Sequence, residues 1–170
     1  MENFKEKLKR ITTFIFDVDG VLTDGKVYLF PDNEPIRSLQ TKDGFAIQLA
    51  CKKKYKIAII SGGRSHPVKQ ALERLGVQNI FLSQSDKLSC YKEFIYENNL
   101  KEEEILYMGD DLPDWEVMKR VGLATCPNDA ATEIKEICLY ISPKKGGEGC
   151  VRDIVEQVMR VRGDWEIAHW

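Results

Sequence analysis

The sequence predicts an α/β fold in which one central parallel β-sheet is covered by helices on both faces, giving three layers. Short runs rich in β-branched and aromatic residues, typical of buried strands, alternate with segments of helical periodicity. That alternation favours a parallel sheet. Three of the runs also end in polar residues: Thr12–Val18, Lys56–Ile60 and Ile105–Met108. The 170-residue length suits a single domain, residues 1–170.

The remaining elements follow from the same periodicities and from turn signals. Further strands are predicted over Asn79–Leu82, Leu123–Cys126 and Ile137–Ile141. Helices are predicted over Asp43–Lys54, Pro67–Leu75, Lys87–Asn98, Trp115–Val121, Ala130–Glu136 and Val151–Val161. Two extended runs, Lys26–Phe30 and Pro35–Gln40, flank a turn-forming tetrapeptide, so residues 26–40 are predicted to form a β-hairpin. The tail, residues 162–170, shows no clear period.

Composition and charge exclude several classes of protein. The net charge of -2, from 25 basic and 27 acidic residues, argues against a general nucleic-acid binder. No apolar run reaches membrane-spanning length, and the amino terminus lacks the apolar segment of a signal peptide. The five cysteines are scattered, which favours reduced structural thiols. We therefore expect a soluble cytoplasmic protein whose partner is a small molecule and which binds neither nucleic acid nor membranes.

The polar residues that follow the predicted strands indicate a metal-dependent site. Asp17 and Asp19 follow the first strand, and Asp110 and Asp111 follow another. In open α/β sheets, ligands bind outside the carboxyl ends of the strands, so these carboxylates are expected to meet in one crevice. Gly20 lets the backbone turn there, so that both of the first two carboxylates can face the crevice. Such a cluster calls for a cation, and oxygen ligands beside phosphate favour Mg²⁺.

Phosphate-binding donors are predicted at two other strand ends. Ser61, with the amides of Gly62 and Gly63, opens a helix and can donate to phosphoryl oxygens. Lys87 begins a later helix and can supply a positive charge. Taken singly, each feature has a simpler explanation, such as a turn, a helix cap or a surface lysine. Their convergence on one crevice favours a phosphatase that uses a carboxylate nucleophile.

These residues resemble the four motifs of the haloacid dehalogenase (HAD) superfamily. The matching segments are Asp17-Val-Asp19-Gly20-Val-Leu-Thr23-Asp24, then Ser61, then Lys87, then Gly109-Asp110-Asp111-Leu-Pro-Asp114. The resemblance spans nearly the whole chain, from about Thr13 to Arg152, and implies an HAD-like Rossmannoid three-layer sandwich. The presence of a second aspartate, Asp19, favours phosphatases over dehalogenases, which resemble this pattern but lack it.

The resemblance implies a role for each matched residue. Asp17 is expected to be the nucleophile and a magnesium ligand, and Asp19 the general acid/base, with its backbone carbonyl on the metal. Asp110 is expected to complete the protein ligands. Support around the metal is expected from Asp111 and Asp114. Binding of the phosphoryl group is expected from Ser61, Gly62 and Lys87.

A narrower resemblance is to the phosphatases of 3-deoxy-D-manno-octulosonate (KDO) 8-phosphate, enzymes of lipopolysaccharide precursor synthesis. No long insertion follows the first motif or separates Ser61 from Lys87, so no large cap domain is expected. The hairpin over 26–40, the run Thr41-Lys42-Asp43-Gly44 and the late segment Gly146–Arg152 also fit this family. This resemblance implies a homotetramer in which the hairpins pack into a barrel. It also implies that the carboxyl-terminal segment of one subunit can reach the active site of a neighbouring subunit. Trp165 and Trp170 would suit such a contact, although a tail without that role is an equal alternative.

Substrate identity rests on fewer residues. The position after Ser61-Gly62 often carries arginine in this family, whereas here it is Gly63 and the arginine follows as Arg64. Related phosphatases of nine-carbon sugar acids tend to have glutamate there, so its absence favours the eight-carbon substrate. Sugar-contacting residues are expected to be Thr41, Lys42 and Arg64. Two alternatives stay open: a phosphatase of a nine-carbon sugar-acid 9-phosphate, and a non-catalytic oligomerisation module.

Overall fold

The fold is a six-stranded, wholly parallel sheet with helices on both faces, which confirms the predicted α/β class. The structure is a computed structural model that describes residues 3–31 and 34–166. The strand order is β3-β2-β1-β4-β5-β6. The strands are β1 Thr13–Phe16, β2 Lys56–Ile60, β3 Asn79–Phe81, β4 Ile105–Met108, β5 Leu123–Cys126 and β6 Tyr140–Ile141.

The central strands are buried on both faces, which is why they are continuous apolar runs in the sequence. All four residues of β1 are buried, and so are all four residues of β4. Successive side chains point to opposite faces, so Phe14 and Phe16 join one core cluster while Ile15 joins the other. The two clusters account for the layers above and below the sheet.

Within residues 3–31 and 34–166, seven α-helices cover the sheet. Their bounds are α1 Phe4–Arg10, α2 Thr41–Lys52, α3 His66–Arg74, α4 Lys87–Glu97, α5 Trp115–Met118, α6 Thr132–Ile137 and α7 Cys150–Arg162. One core cluster contains buried residues of α1, α2, α3 and α7, and the other contains those of α4, α5 and α6. Two short 3₁₀ turns, Glu102–Glu104 and Leu112–Asp114, flank β4.

The strand order creates a crevice beside β1. After β1 the chain builds outward through β2 and β3, then returns to add β4 on the other side of β1. Such a reversal leaves a gap outside the carboxyl ends of the two adjacent strands, where α/β proteins bind ligands. Asp17 follows β1 and Asp110 lies two residues beyond β4. The topology therefore brings the first and last acidic motifs together.

The connection between β1 and α2 contains the predicted hairpin, but little of it is paired as strands. Its only strand pairing among the described residues is an antiparallel bridge between Tyr28 and Ile36, with both backbone hydrogen bonds at 3.0 Å. This bridge joins the two predicted extended runs, Lys26–Phe30 and Pro35–Gln40, as a β-hairpin whose ladder is limited to one pair in the described residues. Pro35 has no backbone donor for a ladder, and an isolated two-stranded hairpin is marginal without a third strand.

The two ends of the chain show features that the sequence did not predict. The helix α1 was not predicted; Asn3 caps it by accepting a hydrogen bond from the Lys5 N–H at 3.2 Å. Near the other end, Trp165 packs on its own chain, where its ring lies against the guanidinium of Arg152 at 4.7 Å and against Phe45. Trp170 lies outside the described residues.

The structure also bears on the thiols and on membrane insertion. All five cysteines are free thiols. Within residues 3–31 and 34–166, no helix is long and apolar enough to cross a membrane.

Candidate active site

Asp17 stands at the carboxyl end of β1 with both carboxylate oxygens engaged. Its Oδ1 accepts a hydrogen bond from the Val18 N–H at 2.6 Å, and its Oδ2 accepts one from Lys87 Nζ at 2.6 Å. The residue is only 7% exposed. Burial raises the pKa of Asp17 to about 6, and repulsion from Asp114 adds to the rise, while Lys87 opposes it. At neutral pH the carboxylate is thus largely ionised and poorly hydrated, which suits a nucleophile.

Lys87 joins Asp17 to a second buried carboxylate, that of Asp114. The Lys87 ammonium donates to Asp114 Oδ1 at 2.8 Å, and the Tyr107 hydroxyl donates to the same oxygen at 2.6 Å. Burial alone would lower the pKa of Lys87, but attraction to Asp114 and Asp17 outweighs it, so the pKa lies above its usual value. Lys87 therefore remains a cation with two carboxylate partners.

The carboxylates of Asp17, Asp110 and Asp114 form a cluster that could hold a metal ion, since one oxygen of each lies within 4.8 Å of the others. Burial, then repulsion from Asp17, raises the pKa of Asp110 to about 7, so the cluster is electrostatically unfavourable without a cation. Asp114 accepts three hydrogen bonds, from Lys87, Tyr107 and the Asp110 N–H, whereas Asp17 accepts one on each oxygen. The oxygens best placed for a hard cation therefore belong to Asp17 and Asp110, with Asp114 in support.

The loop after β1 brings its backbone against Asp110. Gly20 has a φ of +85°, and a Cβ built on it would lie 2.0 Å from Asp110 Oδ2. Only glycine satisfies both the left-handed backbone and the close approach. The glycine that follows Asp19 in the motif thus allows the first and fourth motifs to touch.

Asp19 lies beside Asp17 but turns its carboxylate toward the hairpin. Arg37 forms a bidentate pair with it: Nε donates to Oδ1 at 2.7 Å and Nη2 donates to Oδ2 at 3.0 Å. The Thr23 hydroxyl donates to Oδ1 at 3.5 Å. Sequence reasoning missed Arg37, because nothing in the hairpin sequence marks this one residue as facing the crevice.

The predicted phosphate donors line the same cavity as the aspartates. Ser61 is 2% exposed, and its Oγ accepts a hydrogen bond from the Gly63 N–H at 3.2 Å. The cavity has a volume of about 480 Å³. It is lined by Asp17, Asp19, Gly25, Ser61, Gly62, Gly63, Gln84, Ser85, Lys87, Asp110, Asp111 and Pro113.

The expected sugar-contacting residues do not line this cavity in the single chain. Thr41 and Lys42 are exposed at the first turn of α2, and Arg64 is exposed before α3. Their role stays a prediction. Conversely, Gln84 and Ser85 line the cavity and were not predicted. Their position just before Lys87, ahead of the helix cap Asp86, was the available signal.

A buried aspartate after the first strand, a lysine paired with it and a second acidic loop across the crevice define the class of this protein: a haloacid dehalogenase-like hydrolase. The family model of that description, haloacid dehalogenase-like hydrolase, matches residues 77–154. This segment contains Lys87, Asp110 and Asp114.

Comparison with curated relatives places the chain in a narrower family within this class. The chain is 32% identical over 154 residues to the 3-deoxy-D-manno-octulosonate 8-phosphate phosphatase KdsC of Yersinia pestis, covering 91% of this chain and 82% of the relative. It is also 32% identical over 157 residues to KdsC of Escherichia coli K12, covering 92% and 84%. The chain therefore belongs to the KDO-8-phosphate phosphatase family.

Solved structures agree with this assignment over nearly the whole chain. The crystal structure of the Yersinia pestis phosphatase has a TM-score of 0.91 at 31% identity, covering 94% of this chain and 86% of that one. A Moraxella catarrhalis phosphatase of the same description, in complex with magnesium, phosphate and KDO, has a TM-score of 0.91 at 27% identity, covering 95% and 92%. No large cap domain is apparent in the described part of our chain, as expected.

Proposed function

We propose that this protein hydrolyses KDO 8-phosphate to KDO and inorganic phosphate in a magnesium-dependent reaction. The observation that carries the proposal is the buried Asp17 carboxylate, held at 2.6 Å from Lys87 at the mouth of the β1–β4 crevice. The relatives described as KDO-8-phosphate phosphatases support the choice of substrate. The reaction would serve lipopolysaccharide precursor synthesis in the cytoplasm.

The site residues divide the work of a two-step phosphoryl transfer. Asp17 attacks phosphorus and forms an aspartyl-phosphate, while Asp19 gives a proton to the leaving alkoxide oxygen. Asp19 then takes a proton from the water that attacks the aspartyl-phosphate, which releases phosphate and regenerates Asp17. Ser61 and Lys87 bind the phosphoryl oxygens through both steps.

The carboxylate cluster fits magnesium. Asp17 and Asp110 would hold the ion together with the backbone carbonyl of Asp19, and Asp111 and Asp114 would support those ligands. The pKa of Asp110 is raised to about 7 by burial and then by repulsion from Asp17, and this supports the assignment because a bound cation would offset that repulsion. Bound there, magnesium supplies positive charge that offsets the repulsion between an anionic nucleophile and an anionic ester.

The exposed hairpin supports a homotetramer. Five large apolar side chains of the hairpin are 40–77% exposed, a concentration that is unusual for a monomer's surface. They are Val27, Tyr28, Leu29, Phe30 and Ile36. If these side chains were buried between the hairpins of different subunits, a neighbouring subunit would lie close to the crevice. Thr41, Lys42 and Arg64 could then contact the sugar.

Hydrolysis of defined esters tests the proposal. Phosphate release from KDO 8-phosphate and from 2-keto-3-deoxynononate 9-phosphate is measured with magnesium, and again after EDTA treatment. We expect a higher kcat/KM for the eight-carbon ester and loss of activity with EDTA. A preference for the nine-carbon ester would reverse the substrate assignment. No release from either ester would instead favour a non-catalytic oligomerisation module.

A further inference from the structure

Arg37 is a hairpin residue whose side chain is drawn into the crevice. Its side chain is only 8% exposed, although Ile36 beside it is 54% exposed. Each oxygen of the Asp19 carboxylate receives one guanidinium N–H, at 2.7 and 3.0 Å. A bidentate pair of this kind fixes the plane of the carboxylate as well as its position.

The loop after β2 leaves the space that the pair needs. A Cβ built on Gly63 would lie 2.8 Å from Asp19 Oδ2 and 3.2 Å from Arg37 Nη2. Both distances are shorter than comfortable contacts, so a side chain at position 63 would push against the pair. The absence of a side chain at Gly63 therefore lets the guanidinium lie against this loop.

A second contact fastens the hairpin to the start of the helix that follows this loop. The carboxylate of Glu34 accepts the His66 N–H, with its two oxygens at 3.0 and 3.3 Å from the nitrogen. His66 is the first residue of α3, where backbone donors have no partner within the helix. Glu34 thus fixes the hairpin to the start of α3, and Arg37 fixes it to Asp19 in the loop after β1.

We propose that Arg37 is a positioning residue that holds the Asp19 carboxylate in the orientation required for proton transfer. Within the described chain, Asp19 Oδ2 accepts only one hydrogen bond, from Arg37, so its second lone pair remains to carry the proton that Asp19 gives to the ester oxygen and later takes from water. The inference rests on the proposed phosphatase function, since it assigns a role within that reaction. It extends the function by making the hairpin part of the proton-transfer machinery.

The dependence of the rate on the leaving group distinguishes this role from others. An alkyl ester such as a sugar phosphate leaves as a basic alkoxide and needs a proton from Asp19, whereas p-nitrophenyl phosphate leaves as a stable phenolate and needs little help. Steady-state kinetics with magnesium are measured for both esters. We expect Arg37→Ala to lower kcat/KM about 10- to 100-fold for KDO 8-phosphate, as misplacement of a catalytic group does. The loss for p-nitrophenyl phosphate should be at most a few-fold.

Three further variants control the comparison. Arg37→Lys keeps the charge and one donor, so it should recover part of the loss on the sugar ester. Gly63→Ala presses on the pair without removing charge, so it should reproduce the same leaving-group dependence. Arg120→Ala removes an arginine that pairs with Glu102 at 3.7 Å on the surface, and it should leave both rates unchanged.

Two results would overturn the inference. Equal losses on both esters would mean that Arg37 contributes to phosphate binding or to folding, and an unchanged Arg37→Ala protein would mean that the pair has no role. Thermal melting of each variant, with Arg37→Gln as a second substitution, separates loss of fold from loss of function. A wild-type protein inactive on both esters would instead contradict the proposed function itself, and the inference with it.

Discussion

Asp43 offers a quantitative test of the electrostatics away from the crevice. It lies near the start of α2, is 1% exposed, and accepts the Arg152 N–H on Oδ1 at 2.6 Å. Its other oxygen, Oδ2, is buried and has no hydrogen-bond partner in the described part of the chain. Burial raises the pKa of Asp43 from 3.8 to about 6, against the effect of backbone donors from α7 and its preceding glycine.

The sign of the effect follows from proton linkage. Between pH 3.8 and about 6 the folded protein keeps the proton on Asp43 that the unfolded chain has released, so stability falls as pH rises through this window. The shift lowers the free energy of unfolding by about 3 kcal/mol in total. This penalty is fully present above pH 6 and absent below the pKa of Asp43 in the unfolded chain. Between pH 5 and pH 8 the penalty increases by about 1.4 kcal/mol.

The assay is urea unfolding of the wild type and Asp43→Asn at pH 5 and pH 8. The variant cannot ionise, so its unfolding free energy relative to the wild type should rise by about 1.4 kcal/mol between the two pH values. Any fixed cost of the amide is the same at both, and the titrations of Asp17 and Asp110 cancel in the comparison. A difference between the two proteins that does not change with pH would refute the reasoning.

Three more predictions concern the site and the hairpin. Lys87→Met leaves two buried carboxylates without their cation, so metal-free protein at pH 8 should lose about 3–5 kcal/mol of unfolding free energy, measured in urea, with partial recovery on adding MgCl₂. Tyr107→Phe removes a hydrogen bond to a charged group and should cost about 1.5–3 kcal/mol in the same assay. The 84%-exposed Tyr96, changed to Phe as the control, should cost less than about 0.5 kcal/mol. Leu29→Glu places charge on the exposed hairpin and should shift the mass measured by light scattering from tetramer toward smaller species, whereas an unchanged mass would contradict hairpin packing.

The layered fold was predictable because its strands are buried on both faces and are therefore apolar without interruption. The predicted and observed bounds of β4 coincide, at Ile105–Met108. Helix α1 was missed because it is short and holds only two apolar side chains, Phe4 and Leu8, among charged ones, so its apolar period is too brief to stand out. The hairpin was predictable, but the extent of its ladder was not, because local β propensity does not reveal whether a ladder has neighbours.

The core of the site was predictable for a related reason. Asp17, Ser61 and Asp110 each follow a strand, and the topology of a parallel sheet brings strand ends together. Arg37 was not predictable, because its partner Asp19 is 18 residues away and the contact depends on how the hairpin folds back. Gly63 leaves space for that contact because it has no side chain, but this is evident only from the three-dimensional structure.

Trapping the phosphorylated protein shows whether Asp17 is the nucleophile. The wild type is mixed with KDO 8-phosphate and magnesium, quenched in acid during turnover, and its peptides are analysed by mass spectrometry. We expect a phosphoryl group on Asp17, and a folded Asp17→Asn variant that neither turns over nor carries the group. Turnover by Asp17→Asn at the wild-type rate, or a phosphoryl group on another residue, would contradict this role.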